Sequence, residues 1–395
     1  MSKNDVFIVS AARTAVGSFN GSLTTVPATK LGSIAIAEAV KRAGVKGEAI
    51  GEVYMGNVLS GAIGQAPARQ AALGAKIPNS VPCTTISKVC GSGLQTVILA
   101  ARGVMLGEVD LSVAGGMENM SATAYALPKA RAGYRMGNGQ LIDMMVNDGL
   151  WDVYNNKHMG LCVDGVAAEE NVTREEQDNF AVASYTRARK STKEGSNKWE
   201  IVPVEIPQRK GDPKIFDVDE GPQVFNEEKM RKLKPAFNRD SGTVTAGNAS
   251  SINDGGGAVM LASEAAIKEH NLKPLARIVG WGFGAREPER FALAPVIAVK
   301  NALKATGLEA KDIDWWEINE AFAVVTLLAM REFKLDLDIV NPLGGAISIG
   351  HPIGGSGTRI LTTLLNVMNI KKGKYGLATL CIGGGEGNAI IIERV

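Results

Sequence analysis

The chain has 395 residues, 45% of them hydrophobic and 21% charged, with a formal net charge of +2. That length allows two or three domain-sized units, and so small a net charge excludes a general nucleic-acid or membrane-surface binder. No run of about 18 apolar residues stands out as a membrane span.

The first segment, V-F-I-V-S, reads as a strand directly behind M-S-K-N-D, so no signal peptide or Arg-rich presequence is expected. L-G-S-I-A-I-A-E-A-V-K-R-A follows as a helix, G-E-V-Y-M-G-N-V as a strand and A-P-A-R-Q-A-A-L-G-A as a helix. L-S-V-A-G-G reads as a buried strand ending at its glycine pair. Strand and helix in alternation predict an α/β layered fold.

An internal echo sharpens this prediction. A-V-K-R-A-G-V at 39–45, followed after four residues by I-G-E-V-Y-M, returns as A-L-K-A-T-G-L at 302–308 and I-D-W-W-E-I. The G-S-G at 91–93 returns at 355–357, each time ahead of an apolar helix and a strand ending in glycines. The period is too long for a solenoid and predicts a duplicated α/β domain. Between the copies, about 121–250, lies a stretch rich in charge and turn residues, expected to be an insertion carried by the first half. Thr173 and Glu176 in T-R-E-E form a capping-box pattern, so a helix starts there.

Four cysteines occur, Cys83, Cys90, Cys162 and Cys381, with neither a C-x-x-C pair nor a zinc pattern, and are expected to be reduced thiols. Cys90, in V-C-G-S-G, heads an apolar helix whose N-terminal dipole favours a thiolate. A buried packing thiol would read the same way. G-H-P-I-G-G-S-G puts His351 before the matching G-S-G, where it can serve as base for a thiol. Cys381 closes an apolar strand ahead of G-G-G, whose N–H groups suit an oxyanion site. Asn319, in E-I-N-E-A-F, can orient a reacting group or simply cap the next helix. His270 sits at a polar helix end and reads as solvated.

Together V-C-G-S-G, A-G-G-M-E-N-M-S, H-M-G, G-T-V-T-A-G-N-A-S, N-E-A-F, G-H-P-I-G-G-S-G and C-I-G-G-G resemble the thiolase family over essentially the whole chain. The resemblance is strongest to the short-chain, biosynthetic acetoacetyl-CoA thiolases. It implies an α/β fold of two βαβαβαββ halves packed as five α/β layers. The first half would be 1–120, completed by 251–273, with a CoA-binding loop domain at 121–250. The second half would be 274–395. The implied reaction is reversible Claisen condensation of two acetyl-CoA to acetoacetyl-CoA and CoA through an acyl-cysteine. The resemblance makes Cys90 the nucleophile, His351 its activator and Cys381 the second acid/base. Asn319 would hold a water that completes one oxyanion hole with His351, and the N–H groups of Cys90 and Gly383 would form the other. His158, Met159 and Phe322 would line the acyl pocket, and Leu150, Phe237, Ala246 and Ser250 the pantetheine tunnel.

No metal or redox cofactor is implied, CoA and acyl-CoA being substrates; potassium dependence stays open. A homotetramer, a dimer of dimers, is expected, with neither nucleic acid nor membrane as partner. The expected location is the cytoplasm, or the mitochondrial matrix for a processed chain. A broader 3-ketoacyl-CoA or 2-methylacetoacetyl-CoA thiolase is the alternative enzyme, and an acyl-CoA-binding scaffold the alternative without chemistry. Four segments depart from the family pattern. An Arg that would touch the CoA adenine is missing near 220–225, F-A-L-A-P-V occupies 291–296, Leu343 stands in N-P-L-G-G, and Glu386 follows C-I-G-G-G. Lys229, Arg231 and Lys232 are the cations available to replace the missing Arg, or form a solvated charge run.

Overall fold

The structure, a computed structural model, describes residues 5–395. The first half runs β1 (Val6–Thr14), α1 (Ala28–Ala43), β2 (Glu52–Gly56), α2 (Pro67–Gly74), β3 (Cys83–Ile86), α3 (Ser92–Leu106), β4 (Leu111–Asn119). A long excursion carrying α4 (Met159–Glu169) and α5 (Arg174–Glu194) precedes β5 (Asn253–Ser263). The second half runs β6 (Ala276–Ala285), α6 (Ala294–Thr306), β7 (Trp315–Ile318), α7 (Ala323–Phe333), α8 (Ser356–Lys371), β8 (Tyr375–Ile382), β9 (Glu386–Arg394).

The echo in the sequence is an echo in the backbone. α1 and α6 both stop at a glycine in the left-handed region, Gly44 at φ 73° and Gly307 at φ 71°, where a side chain would be strained. Each glycine is followed by a three-residue 3-10 turn and a strand, β2 or β7. In the sheet the order is β7-β8-β9-β6-β1-β5-β4-β2-β3. Among the described residues, the two half-sheets join where Phe7–Ile8 of β1 meets Ala276–Arg277 of β6.

Three apolar clusters fix the layers. Leu94, Val97 and Ile98 of α3 pack with Ile360, Leu361 and Leu364 of α8 between the half-sheets. Ile36 of α1 and Ala71 of α2 cover the outer face of the first half-sheet against Met117 and Met260. Val299 of α6 and Ala329 of α7 cover the second against Trp316 and Ile391. The order is helix, sheet, helix, sheet, helix, the five-layer architecture expected.

Three expectations need correcting. The glycine pair of L-S-V-A-G-G lies inside β4, which continues to Asn119. A Cβ on Gly116 would meet the Gly354 carbonyl at 2.0 Å, so the pair makes room for the G-H-P-I-G-G loop. The third strand of the second half shrinks to a single bridge, Trp316 to Val340. There the Asn341 side chain takes over the ladder, accepting from Ile318 N and donating to Ile318 O, both at 2.8 Å. Finally, one helical stretch, Val89–Leu106, is apolar and long enough to cross a membrane; here it is the central helix α3 and its approach, packed between the sheets.

Candidate active site

α3 and α8 meet closely at their N-termini because both carry G-S-G. A Cβ on Gly93 would come within 2.9 Å of Thr358 N, and one on Gly357 within 2.2 Å of Leu94 N. The loops entering the two helices, one carrying Cys90 and the other His351, are thereby brought together. The relation is not a strict two-fold one. Cys90 stands two residues before Ser92, whereas His351 stands five before Ser356.

Cys90 sits on a tight turn. The preceding Val89 has φ 43°, an uncommon conformation for a β-branched residue and a mark of strain at a functional turn. The turn is held by Gly91 N donating to Lys88 O at 2.9 Å and by Ser92 Oγ, which accepts from Lys88 N and donates to Val89 O. Lys88 also forms an ion pair with Glu386, which gives that unusual acid a role: it ties the Cys90 turn to the strand after C-I-G-G-G. The helix end does not leave a thiolate at rest. Burial pushes the Cys90 thiol up to about 11, outweighing N–H donation to its sulfur from Gly383 and from Cys90 itself.

Cys381 is the penultimate residue of β8 and 1% exposed. Burial first, then the charge that Cys90 carries when ionised, holds its thiol well above the ordinary range, which places the two sulfurs in one electrostatic neighbourhood.

His351 is 5% exposed, with its backbone N–H bonded to Asn253 Oδ1 at 2.9 Å. Burial, followed by the Arg359 charge, lowers its pKa to about 3, so the imidazole is neutral. Nδ1 faces Ser356 Oγ, which gives its own proton to Pro352 O at 2.8 Å. The hydroxyl has only one proton to give; it must therefore accept from Nδ1–H, leaving Nε2 as a base. Neutral thiol and neutral imidazole suit proton transfer during reaction rather than a standing ion pair.

Cys90, His351, Cys381 and Gly383 line one largely apolar cavity of about 380 Å³, within the usual range for a small-molecule site. The inserted segment supplies Leu150, His158, Met159, Phe237, Ala246 and Ser250, and α7's N-cap residue supplies Phe322. His158 caps α4, its Nδ1 accepting from Gly160 N at 3.1 Å, and stacks on Phe237 at 4.6 Å. Burial lowers its pKa. The glycine of H-M-G is needed because a Cβ at 160 would meet the Phe237 ring at 2.2 Å.

Asn319 alone among the expected site residues does not line the cavity. It is fully buried behind His351, with Nδ2 3.4 Å from Nε2. It caps no helix, since Phe322 is the N-cap residue of α7. Among the lining residues that the sequence reading missed are Phe19, Met120, Phe291 and Ile353. Phe291 had a signal, the altered F-A-L-A-P-V; it is buried edge-on to Phe322 at 6.2 Å and narrows the cavity. Two of the three cations considered for the nucleotide end are paired with acids four residues before them, Arg231 with Glu227 and Lys232 with Glu228.

Known proteins resemble the chain from end to end. Residues 6–265 match the family model of the thiolase N-terminal domain, and residues 272–394 that of the thiolase C-terminal domain. An acetyl-CoA acetyltransferase of Cupriavidus necator is 52% identical over 391 residues, covering 99% of both chains. Acetyl-CoA acetyltransferase 2 of Arabidopsis thaliana is 51% identical over 390 residues, 98% of this chain and 97% of its own. A crystal structure of Acat5 thiolase from Ascaris suum in complex with coenzyme A superposes with a TM-score of 0.94 at 40% identity, covering 99% of this chain and all of that one. Likeness of this extent, over both halves and the segment between them, makes the chain a member of the thiolase family.

Proposed function

We propose that the protein catalyses the reversible condensation of two acetyl-CoA to acetoacetyl-CoA and CoA. The observation that carries this reading is the meeting of two thiols and a base-ready imidazole on one apolar cavity. The acetyl-CoA acetyltransferase relatives support the substrate.

In the first half-reaction Cys90 Sγ attacks the thioester carbonyl as its proton passes to His351 Nε2. The Cys90 and Gly383 N–H groups, which donate to the sulfur at rest, are the donors available to an oxyanion on the acyl carbon. The C–S bond to CoA breaks, and the leaving thiolate takes the Cys381 proton. Cys381 is then a thiolate in a buried setting that raises its affinity for a proton, the property wanted in a base for an α-carbon. It removes the proton from the second acetyl-CoA, whose enolate attacks acetyl-Cys90. The bond to Cys90 breaks, and the sulfur recovers its proton from His351. Both half-reactions balance on thioester exchange and proton transfer alone. Apolar walls from His158, Met159, Phe237, Phe291 and Phe322 exclude water that would hydrolyse the acyl-enzyme.

The test is intact-mass analysis after brief mixing with acetyl-CoA, then peptide mapping. An acetyl group on Cys90 is expected, and Cys381→Ser should still acquire it while losing condensation by at least a hundredfold. An unmodified Cys90 with CoA bound would leave a binding scaffold instead. Condensation by Cys381→Ser at the wild-type rate would remove Cys381 from the base role.

A further inference from the structure

Asn319 is bonded on both sides. Its Oδ1 accepts from Arg359 Nη2 at 3.2 Å, and its Nδ2 faces His351 Nε2 at 3.4 Å. Arg359 lies in α8, only 3% exposed, one helical turn past Ser356. A guanidinium only donates. Whatever stands opposite Nη2 must be the amide oxygen, so the amide NH2 is turned to the imidazole. An NH2 facing Nε2 favours a lone pair there over a proton in the resting protein.

We infer that Arg359 is a positioning residue: by fixing the Asn319 amide it holds His351 in the tautomer that keeps Nε2 unprotonated. Two constraints from opposite sides of the ring then agree. Ser356 and the Pro352 carbonyl favour Nδ1–H, and Arg359 acting through Asn319 favours a bare Nε2. Without Arg359 the amide is free to turn. Its oxygen would then accept from Nε2–H as the Ser356 hydroxyl turns from Pro352 O to donate to Nδ1, and the imidazole would present a proton where the reaction needs a base. The Arg359 charge also contributes, after burial, to keeping the ring neutral. Arg359 is itself countered by Glu317, 3.7 Å from Nη1 and 1% exposed, with Glu320, Glu200 and Arg13 also acting on it. The catalytic consequence rests on the function proposed above; the tautomer does not.

The experiment is 15N NMR of the resting protein with histidine-labelled side chains. The chain has three histidines, His158, His270 and His351, so His158→Gln and His270→Gln assign the spectrum. Wild type should show Nδ1 of His351 as the protonated, pyrrole-type nitrogen and Nε2 as pyridine-type. Arg359→Met should raise the Nε2-protonated fraction and slow Cys90 acetylation at least tenfold, since a wrong tautomer removes the base. Arg359→Lys, which keeps a donor and the charge, should lie between. If Arg359→Met leaves Glu317 too costly to fold, Glu317→Gln with Arg359→Met gives the same readout without an unpaired carboxylate. Asn319→Asp presents an oxygen to Nε2 by design and should give the Nε2-protonated signal outright. A protonated Nε2 in wild type, or an unchanged tautomer in the Arg359→Met proteins, overturns the inference. Failure of wild-type Cys90 to acetylate would strike the proposed function alone.

Discussion

Replacing Gly357 by alanine sets two effects of opposite sign against each other. Alanine is favoured over glycine inside a helix by about 1 kcal/mol, so propensity alone predicts a more stable protein. At 357, however, the new Cβ would lie 2.2 Å from Leu94 N, 2.8 Å from Leu94 Cβ and 2.9 Å from Gly93 C. Comfortable contact begins near ~3.5 Å, so α3 and α8 must part by about 1 Å, and the obstructing atoms include backbone that cannot rotate away. Overpacking of this kind costs about 1–3 kcal/mol or more, which offsets the propensity and leaves a net loss. Function should suffer more than stability. Parting the helices separates the Cys90 turn from the His351 loop, and a misplacement of about 1 Å can cost on the order of 100-fold in rate. Gly165 in α4 is the control, since nothing lies within 4 Å of its would-be Cβ. Gly165→Ala should gain up to about 1 kcal/mol with no change in rate. Urea denaturation and single-turnover acetylation of Cys90 measure both variants. A Gly357→Ala protein as stable as wild type and acetylated at the same rate would refute the close-approach reasoning.

Two further predictions concern buried charge. His351 is held near 3 when folded against an ordinary value of 6.5. The unfolded chain therefore takes up a proton first as pH falls, and stability present above about 6.5 drains away toward 3. Between pH 7 and 4.5 wild type should lose about 3 kcal/mol more than His351→Gln, read by urea denaturation at both pH values; equal losses would contradict a buried neutral imidazole. Arg13, 1% exposed, bonds Glu200 at 2.7 Å and Asp219 at 2.8 Å. Arg13→Met strands two buried carboxylates and should cost about 3–5 kcal/mol, while a loss under about 1 kcal/mol, typical of a surface pair, would show that the cluster is solvated.

Which parts of this molecule can be read from its sequence follows from how local each cause is. The duplicated halves are legible because each repeats a short local code: an apolar helix, a glycine that stops it in the left-handed region, and a strand. The lining residues from V-C-G-S-G, H-M-G and C-I-G-G-G are legible as motifs, yet the reasons for their glycines are not. Gly160 answers to Phe237, Gly357 to Leu94 and Gly116 to Gly354, partners far away in the chain. A strand can likewise vanish without trace in the sequence, because the Asn341 side chain supplies the bonds that a third strand would otherwise give. Glu386 looked anomalous until Lys88 was seen opposite it. Protonation states are the least local property of all. The helix end ahead of Ser92 suggests a thiolate at Cys90, but desolvation of this part-buried thiol at the cavity wall outweighs it, and that wall is a product of the whole fold. The same holds for the base. That His351 stands near Cys90 follows from a repeated G-S-G; which of its nitrogens carries the proton depends on Ser356 at one end and on Asn319, and behind it Arg359, at the other. A sequence can thus nominate a nucleophile and its base, while the network behind them determines whether the pair is in a state to react.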